Sequence, residues 1–421
     1  MVCALKKVLS HIFKLGDDMK KHIKFLSLCL AAVLLCPIAV SAATVSSECD
    51  ISDINIPISA EVGDAAIGQT LDIKAKSAIL MEVNTGKILY EMNADEVLPP
   101  ASITKIMSLL LVMEAIDRGD MSVEDVITAS EHACSMGGSQ IWLEPGESMT
   151  VDELLKAAVI ASANDATVAL GEQIAGSEEG FVAMMNARAA ELGMTNTKFM
   201  NATGLDAEGH ASSAHDVAIM SCELIRHDLI KNYSTIWMDT LRDGESELVN
   251  TNKLVRFYEG TTGLKTGTTS GAGYCLAATA QRNGLELAAV IMSGDSSQDR
   301  FEGAKKLLDY GFANFSYSEI EPELENGLAL KVKGGVKPQI CVRAKEKFGA
   351  LLKKSEAADV TQKITLSDEL SAPIKKGDTV GRIDFYIGDE QIGSVDIVAN
   401  ENVDKMTFMI AFWWLLEGIV K

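Results

Sequence analysis

The chain has 421 residues, 47% of them apolar and 23% charged, with 33 glycines and only 8 prolines, which excludes disorder, a collagen-like repeat and a small disulfide-stapled scaffold. At roughly 100–200 residues per domain there is room for two or three domains, each able to bury its own core. A formal charge of −21 argues against nucleic acid as a partner, because few cations are left over to neutralise phosphates.

Lys20, Lys21 and Lys24 precede an apolar run over residues 25–40, and Val40-Ser41-Ala42 offers the small residues of a cleavage site. Residues 1–43 therefore read as an export signal, with Met19 the expected start and the residues before it an extension. Residues 44–70 read as a polar leader. Two strands are expected over 78–83 and 87–92, joined at Asn84-Thr85-Gly86, and Pro99-Pro100 stops them. The pattern over 102–116 is helical, with Ile106, Leu109, Leu110 and Met113 on one stripe and Gly119 closing it. Further helices are expected over 151–160, 164–174, 180–192 and 214–226. Strands return over 260–265, 273–281 and 285–293, followed by a helix over 301–312. Strand pairs at both ends with helices between them indicate an α+β domain over 71–315 whose antiparallel sheet is closed by distant segments. Short alternating runs over 328–332, 339–342, 363–366, 379–387 and 391–398, separated by turn residues, indicate a small all-β domain over 316–403. Residues 404–421 form a terminal tail whose apolar stretch from Phe408 to Leu416 is far shorter than the ~20 residues a spanning helix needs.

Three short motifs carry chemistry. Ser102-Ile103-Thr104-Lys105 sits where a Pro-Pro break meets a helix start, so the hydroxyl and the amine share one face beside the positive end of the helix. That arrangement suits a serine nucleophile with a lysine base, but alone it arises by chance about once or twice in a chain this long, and an N-capping serine would read the same way. Ser162-Ala163-Asn164 lies in a small-residue loop between two helices, where a hydroxyl and a carboxamide can relay a proton and bind a substrate amide. Lys265-Thr266-Gly267-Thr268 closes an expected strand, with a cation, two hydroxyls for a carboxylate and a glycine that admits a close backbone approach. His210 and His215 have poor metal spacing and are expected to make structural hydrogen bonds. After export Cys49, Cys134, Cys222, Cys275 and Cys341 remain, an odd set without CxxC spacing. They are expected to be buried small hydrophobes rather than a zinc or redox site, and no metal or cofactor is expected.

Taken together, S-x-x-K, S-x-N and K-T-G in this order resemble the low-molecular-mass penicillin-binding proteins, specifically the D-alanyl-D-alanine carboxypeptidases. The stretches Pro99-Pro100-Ala101-Ser102, Gly138 to Glu144, Gly204-Leu205-Asp206 and Lys265 to Cys275 carry the same likeness. The resemblance implies removal of the terminal D-alanine from peptidoglycan stem pentapeptides through an acyl-enzyme on the outer face of the bacterial cytoplasmic membrane, with β-lactams as covalent inhibitors. It further implies Ser102 as nucleophile, Lys105 as its base, Ser162 as proton relay and Asn164 as substrate orienter. Lys265, Thr266, Gly267, Thr268 and Arg300 would bind the substrate, Arg300 helping to hold its terminal carboxylate, with the backbone N–H groups of Ser102 and Thr268 forming the oxyanion hole. Residues 405–421 would tether the enzyme to the membrane surface. A β-lactamase is the alternative hydrolase, but no E-x-x-L-N segment follows the second motif. A D,D-endopeptidase of the same fold and a non-catalytic wall-binding protein are the other readings.

Overall fold

The computed structural model describes residues 71–324, 328–355, 360–367 and 369–420; the expected export signal and polar leader lie outside the described residues. Five strands form one antiparallel sheet: β1 (Ala75–Glu82), β2 (Ile88–Met92), β3 (Thr261–Thr269), β4 (Gly273–Arg282) and β5 (Leu285–Gly294), in the spatial order β2-β1-β5-β4-β3. The β1–β2 pair is the expected hairpin, and β1 is joined along its other edge to β5 from far along the chain, with Ile79 facing Val290. Because side chains alternate along a strand, Ile79, Met81, Ala277 and Val290 face a helical layer while Ala78, Leu80, Leu276 and Ile291 face a single helix, α6, defined below. The strands are buried on both faces, which is why they read as continuous apolar runs.

The helical layer contains α1 (Lys105–Asp117), α2 (Val151–Ile160), α3 (Asn164–Ala175), α4 (Glu178–Glu191) and α5 (Ala214–Ile225), and α6 (Ser297–Asn314) covers the opposite face of the sheet. The four-residue stripe expected on α1 is too narrow: residues 105–113 are all buried, as in a helix packed on every side. Helices α4 and α6 begin earlier than the apolar pattern indicates, because Ser177 and Ser296 cap them by accepting from Gly180 N and Asp299 N. Strand β3 does not stop at Lys265 but runs on to Thr269, so the Lys-Thr-Gly-Thr motif lies inside the strand and Gly267 pairs with Cys275.

The described residues from Phe315 to Ala399 are all-β. The strands are β6 (Phe315–Ile320), β7 (Ala329–Lys333), β8 (Gln339–Ala344), β9 (Phe348–Lys353), β10 (Val360–Leu366), β11 (Leu370–Ser371), β12 (Thr379–Ile387) and β13 (Glu390–Ala399). Six of them form a sheet in the order β10-β12-β13-β8-β7-β11, and β6 pairs with β9. Their core is built on Phe348, Ile340, Ile383, Phe385 and Ile397, with the rings of Phe348 and Phe385 stacked 4.2 Å apart. A terminal helix, α7 (Phe408–Val420), ends the chain. The cysteine expectation holds for Cys222 and Cys275, which are buried, but Cys341 is exposed and Cys134 half-buried. Cys341 alternates outward along β8 next to the buried Ile340.

Candidate active site

Ser102 lies in a 3-10 turn, Ala101–Thr104, that leads directly into α1. Two glycines let other segments close on this turn. A Cβ on Gly204, at φ +85°, would sit 1.8 Å from the Ala101 carbonyl oxygen, and one on Gly267 would sit 3.0 Å from both the Pro100 carbonyl oxygen and Ser102 N. Gly267 thus admits the protein's own backbone, where the sequence suggested room for a substrate. The turn before Ser102, the loop at Gly204 and strand β3 converge on one hydroxyl.

Lys105 is fully buried, with Nζ 3.1 Å from Ser102 Oγ and donating to the Thr203 carbonyl at 2.8 Å. That carbonyl is positioned by Asn201, whose Oδ1 accepts from Gly204 N at 2.7 Å and Thr203 N at 3.2 Å. Burial holds the Lys105 amine well below its ordinary pKa, the charge of Lys265 lowers it further, and Asp165 pulls the other way. Lys265, also buried on β3, donates to the Thr266 carbonyl at 3.2 Å, and burial with the charge of Arg300 brings its pKa down to about 7. Burial and like charge therefore favour the neutral form of both amines over what free lysines would show.

Ser162 separates α2 from α3 at φ +64° and is buried. It does not cap α3, whose N-cap is Ala163. Asn164 N donates to the Ser139 carbonyl at 2.7 Å and Asn164 Nδ2 to the Gly137 carbonyl at 2.6 Å, while its Oδ1 is buried with no hydrogen-bond partner among the described residues. A buried carbonyl oxygen left open in this way is an acceptor for an N–H from outside the chain. Gly138 packs on Asn164 and Leu205, which links this loop to the Gly204 loop and so to Ser102.

Arg300 projects inward rather than into solvent. It is buried in the first turn of α6, and its Nη1 donates to Gly267 O, Thr268 Oγ1 and Cys275 O at 3.0, 2.9 and 3.2 Å. Thr268 is exposed beside it. Thr266, by contrast, donates its hydroxyl to Thr251 Oγ1 at 2.8 Å, so of the two threonines Thr268 is the one left facing solvent. His210 accepts from Met200 N at 3.0 Å on Nδ1, which leaves Nε2 to donate to Thr104 Oγ1 at 2.8 Å; burial brings its pKa down to about 4. His215 pairs with Asp95. Both histidines are structural, and among the described residues no three His, Cys, Asp or Glu side chains gather to hold a metal ion. A cavity of about 410 Å³ opens beside Ala101, lined by Leu205, Asp206, His210 and Gly271. Thr203, Asn201 and Asp165 have structural parts here that the motifs did not reveal, although Asp165 directly follows Asn164 in sequence.

Residues 64–296 match the family model described as D-alanyl-D-alanine carboxypeptidase, and residues 325–405 match the one described as the C-terminal domain of penicillin-binding protein 5. D-alanyl-D-alanine carboxypeptidase DacF of Bacillus subtilis is 44% identical over 80% of this chain and 87% of its own length. DacC of Escherichia coli, of the same description, is 34% identical over 81% and 87%. Among solved structures, penicillin-binding protein 5 from Haemophilus influenzae has a TM-score of 0.69 and 31% identity, covering 80% of this chain and all 100% of that one. Penicillin-binding protein D2 from Listeria monocytogenes, in an ampicillin-bound form, has a TM-score of 0.53 and 33% identity over 58% of this chain and 99% of its own. The chain belongs to the family of D-alanyl-D-alanine carboxypeptidases, and its α+β region followed by a small β region has that family's fold.

Proposed function

We propose that the protein is a serine-type carboxypeptidase that removes the terminal D-alanine from peptidoglycan stem pentapeptides, with Ser102 as the nucleophile. The observation that carries this reading is the buried Lys105 amine 3.1 Å from Ser102 Oγ, its pKa lowered by burial and by Lys265, because a lysine serves as a base only when neutral. Lys105 takes the Ser102 proton as the oxygen attacks the carbonyl between the two D-alanines. The negative charge that develops on that carbonyl oxygen is met by the backbone N–H groups of Ser102 and Thr268. Ser162 hands the proton to the departing D-alanine nitrogen, and water then hydrolyses the acyl-enzyme. Asn164 Oδ1, open and buried, accepts from a substrate amide; Thr268, Lys265 and Arg300 supply hydroxyl and charge for the terminal carboxylate.

β-Lactams are strained cyclic amides that enter the same acylation step, a reading supported by the ampicillin-bound relative. Export by residues 1–43 would bring the enzyme to the outer face of the cytoplasmic membrane. Helix α7 would hold it there: Phe408, Trp413 and Leu415 are exposed, no helix among the described residues is long and apolar enough to cross a bilayer, and tryptophans favour the membrane–water interface. Incubation with a pentapeptide ending in D-Ala-D-Ala should release D-alanine, and a fluorescent penicillin should stay attached for minutes or longer. Rapid shedding of the label would point to a β-lactamase, and absence of labelling to a binding module.

A further inference from the structure

Trp142 is 75% exposed and has a backbone φ of +61°, a conformation that a bulky residue adopts only when its surroundings impose it. Those surroundings are explicit. The buried Asp165 carboxylate accepts from Ile141 N at 3.2 Å and from Leu143 N at 3.1 Å, on either side of the tryptophan. Arg242, reaching in from the 238–249 hairpin, donates to the Ile141 carbonyl at 2.9 Å and the Trp142 carbonyl at 3.5 Å, and is itself fixed by Glu147 at 2.8 Å. Four braces thus hold one residue in a strained conformation whose ring is left in solvent, where it adds little to the core. The indole touches no other ring among the described residues. Its loop is that of Gly137 and Ser139, which hydrogen-bond Asn164, so Trp142 lies three positions along the chain from Ser139, at most ~10 Å of backbone from the candidate site.

We propose that Trp142 is a substrate platform, its indole packing on the aliphatic surface of the stem peptide just upstream of the scissile D-Ala-D-Ala. The inference rests on the carboxypeptidase reading of the site. Reach favours the stem: an extended peptide rises ~3.3 Å per residue, so the nearest upstream residues fall within ~10 Å of the reacting bond, whereas the glycan lies beyond the whole stem. An aromatic face of this kind gains by covering C–H surface without requiring one particular side chain.

The test compares D-alanine release from a minimal acyl-D-Ala-D-Ala and from a free pentapeptide, using wild type, Trp142→Phe and Trp142→Gly. Glycine adopts φ +61° without strain, so Trp142→Gly removes the ring while keeping or raising the melting temperature. Its ratio of kcat/KM for the pentapeptide over the minimal substrate should fall about ten-fold, mainly through KM, and Trp142→Phe should restore most of it. An unchanged ratio overturns the proposal, as does a deficit that appears only when the pentapeptide carries its disaccharide, which would place a sugar on the ring. A wild type that releases D-alanine from neither substrate removes both this proposal and the reading beneath it.

Discussion

Among the described residues, Asp384 is the sole buried polar side chain beyond Asn314, and it is matched by Arg382 at 2.7 Å and Gln391 at 2.9 Å. Before Asn314 the buried set includes Lys105, Ser162, Asn164, Asp165, Lys265 and Arg300, two of which keep a buried atom without any partner. Non-glycine residues at positive φ divide the same way: Ala101, Trp142, Ser162, Arg242 and Ser293 are among those in the first region, and none is found among the described residues of the second. Burying lysines and holding serines and a tryptophan in the left-handed region cost stability. The first region tolerates these costs, those at Ala101, Lys105 and Lys265 falling at or beside Ser102, while the β region has an ordinary apolar interior. Unfavourable local choices concentrated in one place mark where the chemistry resides.

The sharpest way to break that contrast is to remove a member of the first set. Ser102→Ala should abolish covalent labelling by penicillin, and mass spectrometry of the wild-type adduct should map it to Ser102; an adduct on Ser162 would sink the assignment. Lys105→Ala should slow acylation by at least ~10²–10⁴, the contribution of a positioned general base. Gly204→Ala should also be severe, because its new methyl group would meet the Ala101 carbonyl 1.8 Å away and displace the turn that carries Ser102. Near-normal labelling of Gly204→Ala would show that this turn moves freely.

Lysine titration sharpens the comparison further. Lys105 acts as a base only when neutral, so acylation should fall as pH drops through its lowered pKa. Lys265→Ala removes a like charge and should move that acid limb to higher pH. Lys265 titrates near 7 when folded but near 10.5 when unfolded, so between those values the unfolded chain keeps a proton that the folded chain has released. Stability attributable to this group therefore rises with pH across that window. Lys265→Met should raise the melting temperature by about 5 °C below pH 7 and by little near pH 10, while impairing acylation. Calorimetry showing the same gain at both pH values would contradict a charged lysine buried at a cost.

How much of this was legible in the sequence follows from the range of each signal. The β1–β2 hairpin and helix α2 are written locally, in a turn tripeptide and in a capping box between Thr150 and Glu153. The motif order identified Ser102, Lys105, Ser162, Asn164 and Lys265 as candidates. Hidden from it were features created by tertiary approach: Thr203 as partner of Lys105, the closeness of Gly204 to Ala101, and the bracing of Trp142 by Asp165 and Arg242. The three-residue strands at Val126–Thr128 and Ser148–Thr150 were too short to show a period, and the β6–β9 pair joins segments on either side of an unrelated hairpin.

The smallest effect at Ser102 should come from damage to the other region. Phe385 is almost wholly buried, and its ring stacks on Phe348 with only 10° between the planes. Phe385→Ala removes that ring from the β core and should cost about 3–5 kcal/mol locally, since the surrounding strands can close only part of the space left behind. The hydrogen bonds described for Lys105, Asn164, Lys265 and Arg300 all go to residues before Phe315. Calorimetry should therefore show a β-region transition at lower temperature, while the rate of penicillin labelling at 25 °C stays within about two-fold of wild type. If labelling instead falls in step with the loss of the β-region transition, the two regions unfold as one cooperative unit and the separation of chemistry from scaffold fails.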